Sequence, residues 1–234
     1  QSQRDQRQWY VKACNDQQIL CVAEGGGDLW QDLSMVADGF HAVEHSLPNA
    51  PVYSDVLQFM AGSKTDESSG TAYSPTLMVA YGGLSGEVFF YQNHDPYNDE
   101  RLLRHWDRRD LDARTRRRTI MSRDGDWNHQ QVAIDAAKMA EDGVLVTMGA
   151  HGQIQGVGTH WEMWALGGPD AMTPLDAIKA STINGAKYLG MDDVLGSISA
   201  GKFADIVVLD ADPRADLHNS TKIHFVIKNG VIYR

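Results

Sequence analysis

Apolar positions along this chain alternate between short continuous runs and longer stretches of helical period, the pattern of buried parallel strands followed by amphipathic helices. Residues 2–16 suit a helix, with Trp9, Val11, Ala13 and Cys14 among polar partners. The run 19–23 ends in Glu24-Gly25-Gly26-Gly27 and predicts a buried strand with its following loop, and 29–37 predicts a helix closed by Asp38-Gly39. The alternation repeats with a strand over 40–45, a helix over 53–61, a flexible polar loop over 62–71 and a strand over 75–80 that ends in Gly82-Gly83. After an excursion over 84–126, a helix is predicted over 127–141, its apolar face carrying Val132, Ala136, Met139 and Ala140. A fourth strand over 144–148 ends in Gly149-Ala150-His151-Gly152. Thr173-Pro174 is an N-cap with Pro at the first helical position, Ala177, Ile178, Ala180, Ser181, Ile183 and Ala186 continue at helical spacing, and Gly190 stops the helix. Gly196 and Gly201 punctuate a turn before a β-forming run over 204–209, and Asn229-Gly230 is a two-residue hairpin turn.

Four strands, each followed by a loop and a helix with no hairpin turn before Asn229, predict parallel βα units. Right-handed crossovers leave two shapes open, a barrel sector or a doubly wound sheet. The 234 residues, 42% apolar and 22% charged, describe a globular α/β chain with no apolar run near the ~20 residues of a membrane helix. A net charge of -10 excludes a general polyanion binder, so no nucleic-acid partner is expected. Cys14 and Cys21 read as two buried free thiols. Nine arginines between Arg101 and Arg123 alternate with Asp107, Asp110 and Asp112; they read first as a solvated, ion-paired helix, and their place after a strand leaves a lid or substrate-contact loop open.

Three polar residues end predicted strands, Glu24, His45 and His151, where a parallel barrel gathers its active site. His160 and Glu162 lie just downstream in Gly-Thr-His-Trp-Glu-Met-Trp, but the second histidine of an HExxH zinc motif is absent. The glycines match neither a dinucleotide fingerprint nor a P-loop.

The order T-P-x-x-A-I-x-A-S-T-x-N-x-A-x-x-L-G … G-S-I-x-x-G-K-x-A-D-I-V-V-L-D over residues 173–210 closely resembles the carboxyl end of the amidohydrolase superfamily, and 226–233 resembles its closing hairpin. The likeness is to the imidazolonepropionase and prolidase branch. It implies an α/β fold comprising the C-terminal half of a (β/α)8 TIM-type barrel, strands five to eight over residues 1–189, and part of a small C-terminal β-domain over 190–234. A complete barrel takes ~250 residues, so the chain is expected to be the C-terminal portion of something larger. Four strands alone would leave open edges, so self-association, or association with the N-terminal half, is expected.

The same resemblance supplies roles. Val43-Glu44-His45-Ser46 is similar to the superfamily's I-E-H strand, whose histidine binds a catalytic metal, whereas His41 is read as structural. Glu24 stands where the family usually has the strand-five histidine; variants with Glu-Gly-Gly here are often attached to a TolB-like β-propeller. His151 stands where most members carry an Asp that touches the metal and shuttles a proton. The implied cofactor is a divalent metal, zinc first, manganese or iron open, with Glu24, His45 and His151 as ligands. His151 and Glu162 are the catalytic candidates, and Tyr81, His160 and Trp161 the candidate substrate contacts. No H-x-H pair occurs in the chain, which places those ligands upstream. The activity implied is metal-dependent hydrolysis of a carbon–nitrogen bond in a small molecule; a non-catalytic, barrel-derived binding or sensing module is the alternative. Cytoplasm and periplasm both remain open.

Overall fold

The computed structural model describes residues 2–62, 70–115 and 121–234, so most of the expected loop over 62–71 and part of the arginine-rich run lie outside the described residues. Three short strands, β1 (Val22–Glu24), β2 (Ala42–Glu44) and β3 (Ala72–Ser74), lie parallel and in sequence order. Glu24 is in register with Glu44, and Glu44 with Ser74, so these polar side chains share one face of the sheet. Tyr73 bridges in parallel to Val146, extending the sheet to a fourth chain segment. Helices α1 (Ser2–Asp16), α2 (Leu29–Ala37) and α3 (Ser54–Gly62) flank the first strands. The excursion forms α4 (Gly86–Asn93), α5 (Glu100–His105) and α6 (Arg108–Thr115), followed by α7 (Asn128–Glu141), α8 (Val157–Leu166), α9 (Pro174–Ala180) and α10 (Ile183–Tyr188). An antiparallel sheet, β4 (Ile206–Leu209), β5 (Ile223–Lys228) and β6 (Val231–Tyr233), ends the chain in the order β4-β5-β6. Among the described residues no helix is long and apolar enough to cross a membrane.

The third strand is not where the apolar run 75–80 pointed. It precedes Pro75, and Leu77–Val79 instead form a buried 3-10 turn. Pro75 supplies no N–H to a ladder, and Thr76 takes a left-handed φ of 49° that ends the extended segment. The expected strand 144–148 contributes one bridge, carried by Tyr73 N–H on the Leu145 carbonyl at 2.9 Å and Thr147 N–H on the Tyr73 carbonyl at 3.0 Å. The single helix expected from Thr173 to Gly190 is two. Ser181 and Thr182 turn their hydroxyls back onto the Ala177 and Ile178 carbonyls, each at 2.7 Å, and the helix breaks between them. Gly190 does end α10 with a φ of 65°, and Thr173 does cap α9 by accepting the Asp176 N–H at 3.2 Å.

The core runs from Val43 and Tyr73 of the sheet through Leu77, Met78, Tyr91, Met139 and Trp161 of the surrounding helices. Among the described side chains of α1 only Val11 is buried, while Trp9 and Tyr10 stay exposed, so this helix is held largely by ions. Asp38, the C-cap of α2, accepts from Arg4 Nε at 2.8 Å, Arg7 Nε at 3.2 Å and Gln8 Nε2 at 2.9 Å. Burial of Asp38 raises its carboxyl, but the Arg4, Gln8 and Arg7 donors outweigh it and hold the group below the usual aspartate range. A depressed folded value stabilises above the ordinary aspartate value (~3.9) and is lost as pH falls through the folded one. Asp38→Asn is therefore expected to cost about 1–2 kcal/mol at pH 7. The gap to the parent closes in melts as pH falls below the ordinary aspartate value and through the depressed folded one.

Candidate active site

Glu24 is the last residue of β1, His45 follows β2 by one residue, and His151 follows the Val146 segment. All three emerge at the carboxyl ends of parallel segments of one sheet, with β3 between the His45 and His151 segments, and they meet. His45 Nε2 lies 3.7 Å from Glu24 Oε1, and the His45 and His151 rings are 5.1 Å apart, edge to face at 64°. Both histidines hold left-handed backbone, φ 70° for His45 and 55° for His151. Such angles are uncommon outside glycine and concentrate where a fold aims a side chain.

Tyr81 closes the group from the loop after the 3-10 turn. Its ring stacks on His45 at 5.1 Å and 27°, and its N–H donates to Ser46 Oγ at 2.7 Å. The Asn128 amide, at the start of α7, donates to the Tyr81 carbonyl. Beneath His45, Glu44 Oε1 receives the Tyr188 hydroxyl from α10.

The electrostatics follow from this packing. His45 is buried while the Glu24 side chain is 77% exposed, so the pair has one dry and one wet member. Burial, then the neighbouring His151, pull the His45 imidazole below its usual range, against the opposing pull of Glu24 and Glu44. A neutral imidazole is the form that donates a lone pair to a metal or accepts a proton. The buried Nδ1 of His45 has no hydrogen-bond partner among the described residues. Burial, Glu24 and Asp32 keep the Tyr81 phenol above its ordinary range and so protonated at neutral pH.

The other expected site residues sit elsewhere. Glu162 is fully buried, and its two carboxylate oxygens accept the N–H groups of Leu77 at 2.7 Å and Met78 at 2.9 Å. It caps the 3-10 turn instead of facing a substrate. Burial pushes its carboxyl up to about 8, with the two N–H donors opposing. Trp161, expected against substrate, is instead 2% exposed and stacked on Phe90 at 5.2 Å, because its phase on α8 turns it with Ala165 into the core. His160 pairs with Ser220 Oγ at 3.0 Å beside the terminal sheet.

Sequence reasoning assigned no role to Ser46, Asn128 or Tyr188. Ser46 directly follows the expected ligand His45, a signal that could have singled it out; Asn128 and Tyr188 carry none, because only the fold brings them near.

A parallel sheet with its polar cluster at the strand ends is the arrangement of the α/β barrel hydrolases. Residues 121–233, just under half of the chain, match the Amidohydrolase family. A 5-methylthioadenosine/S-adenosylhomocysteine deaminase of Symbiobacterium thermophilum is 33% identical over 87 residues, 32% of this chain and 20% of that protein. An imidazolonepropionase of Picrophilus torridus is 42% identical over 59 residues, 24% of this chain and 15% of that protein. Among solved structures, a Xaa-Pro dipeptidase with methionine in its active site superposes with a TM-score of 0.66 at 19% identity, covering 99% of this chain and 48% of that one. A putative prolidase from Bifidobacterium longum gives 0.66 at 18%, covering 98% and 50%. The chain thus spans about half the length of the structures it matches.

Proposed function

We propose that this chain is the C-terminal half of a (β/α)8 barrel enzyme that hydrolyses a carbon–nitrogen bond in a small, amide-like substrate with the help of a divalent metal. The observation that carries the reading is the convergence of Glu24, His45 and His151 at the carboxyl ends of parallel segments of one sheet, both histidines on left-handed backbone. The half-barrel is supported by the coverage of its structural neighbours and by the free edge of β1. There Ile19, Leu20 and Val22 are exposed, as are the nearby Trp9, Tyr10 and Trp30. Residues 1–189 would be the barrel portion and 190–234 the β-domain.

The donors fit a divalent ion in kind, two imidazoles and a carboxylate. In number they fall short, since no three His, Cys, Asp or Glu among the described residues could hold a metal. The remaining ligands would come from polypeptide outside this chain. A bound ion would polarise the scissile carbonyl and acidify water. His45 and Glu24 would hold the ion; His151 would serve either as a further ligand or, left off the ion, as acceptor of the water's proton where a carboxylate is more usual, and Tyr81 would shield His45 and offer its phenol to the substrate.

The shortfall in ligands favours one other reading, a non-catalytic binding module on the same fold. A single experiment separates them. Full-length protein, reconstituted with zinc, manganese or iron, is assayed for bound metal and for hydrolysis of linear and cyclic amides. Stoichiometric metal that is lost in His45→Ala, with activity falling about 10²–10⁴-fold in a metal-loaded His151→Asn, is the expected result. Full-length protein that stays metal-free after reconstitution would leave only the binding module standing.

A further inference from the structure

A second pocket lies away from the strand ends, between α4, α7, α8 and the 3-10 turn over Leu217–Thr221. Its volume is about 360 Å³, within the range of small-ligand sites, and none of Glu24, His45, Tyr81 or His151 lines it. The walls are rings: Phe89, Phe90, His94, Trp164 and His218, with Asp216 at the rim. His94 lies 5.5 Å from both Phe90 and Trp164, and His218 packs 4.3 Å from Trp164.

Two features make this a built site and not a gap between helices. Trp164 is fixed, its indole Nε1 donating to the Leu217 carbonyl at 2.9 Å and to Ser220 Oγ at 3.0 Å. An anchored indole presents its π surface without the entropy loss of ordering it on binding. Asp216 is fixed too, accepting the His218 N–H and facing His218 Nδ1, each at 2.9 Å. Those contacts hold its carboxyl below the usual range, so it is anionic at neutral pH.

Among the described residues no lysine or arginine lines the pocket. Burial lowers the His94 imidazole, and it takes His129, on the inner wall, down to about 4; both are uncharged at pH 7. The pocket therefore offers electron-rich ring faces and one carboxylate, with no fixed cation on its inner walls. An uncharged alkyl group would gain only apolar contact here, whereas a positive group gains the ring quadrupoles and the carboxylate together.

From the anchored Trp164, the surrounding rings and the rim carboxylate of Asp216, we propose that this pocket binds a small organic cation, an alkylated ammonium group. It is a site separate from the strand-end cluster, and it does not depend on the hydrolase reading.

The test titrates the full-length protein with choline and, in parallel, with dimethylbutanol, its uncharged isostere, by calorimetry and thermal shift at pH 7.5. Saturable choline binding is expected, about ten-fold tighter than the isostere. Asp216→Asn, a change at an exposed rim, should weaken choline several-fold and leave the isostere unaffected. Trp164→Phe, which keeps a ring but loses the anchoring N–H, should weaken choline as well. Equal affinity for the two probes, or no saturable binding of choline to folded protein, overturns the proposal. So does choline binding that Asp216→Asn and Trp164→Phe both leave unchanged.

Discussion

Replacing Glu162 by leucine is expected to lower the stability of the fold by about 2–4 kcal/mol at pH 6, the largest loss from any single polar side chain of α8. Leucine conserves volume but strands the N–H groups of Leu77 and Met78, which are bonded at 2.7 and 2.9 Å and have no water to turn to. The loss depends on pH, and the sign follows from the raised carboxyl. A folded value near 8 against 4.5 means that the folded chain keeps a proton which the unfolded chain releases between those limits. The stability contributed by this group is complete below pH 4.5 and is lost as pH rises through 8. The gap between parent and Glu162→Leu should therefore narrow from pH 5 to pH 9 in urea melts, and Glu162→Gln, which keeps an acceptor but cannot ionise, should show a flatter pH dependence than the parent. A gap that widens with pH would contradict the burial argument.

Glu162 also shows where sequence reading stops. Its place downstream of His151 in the sequence suggests support for that histidine or a substrate contact, yet helical phase decides what it meets. On α8, Trp161 and Ala165 face inward and so do Glu162 and Leu166. The carboxylate was drawn into the core by a debt left elsewhere: the 3-10 turn over Leu77–Val79 buries N–H groups that no ladder satisfies. Leu77-Met78-Val79 looked like a strand because a buried apolar run has no periodicity to distinguish strand from turn. Pro75 was the available sign that β3 ends before it.

What was legible had a local cause. The helices α2, α3, α7 and α9 carry caps or amphipathic period, and the β5–β6 turn carries Asn229-Gly230, both at positive φ. Glu24, His45 and His151 were legible because each is polar, ends an apolar run and precedes a glycine or a proline within a few residues. The shared sheet face of Glu24, Glu44 and Ser74 depends on register, which the sequence does not state. Likewise Tyr188 reaches Glu44 from 144 residues away only because α9 and α10 break at Ser181.

The strand-end cluster in turn depends on a contact between two loops, and Gly82→Ala should break it. Gly82 has a φ of 85°, and a Cβ there would stand 2.2 Å from the Pro48 carbonyl oxygen. Pro48 belongs to the loop that leaves His45, so the 81–83 loop can accept a methyl group only by lifting off. Left-handed strain and backbone overlap together are expected to cost about 2–4 kcal/mol. Lifting would also strain the Tyr81 N–H bond to Ser46 and move the Tyr81 ring from His45. Since burial is the largest cause of His45's lowered value, uncovering it should bring the imidazole back toward the ordinary histidine range in an NMR titration. Gly125→Ala is the control. Gly125 has a comparable φ of 93° but nothing within 4 Å of an added Cβ, so it should show the strain alone, about 1–2 kcal/mol, with His45 unmoved. If Gly82→Ala costs no more than Gly125→Ala, or leaves the His45 titration in place, the two loops do not hold Tyr81 on the histidine.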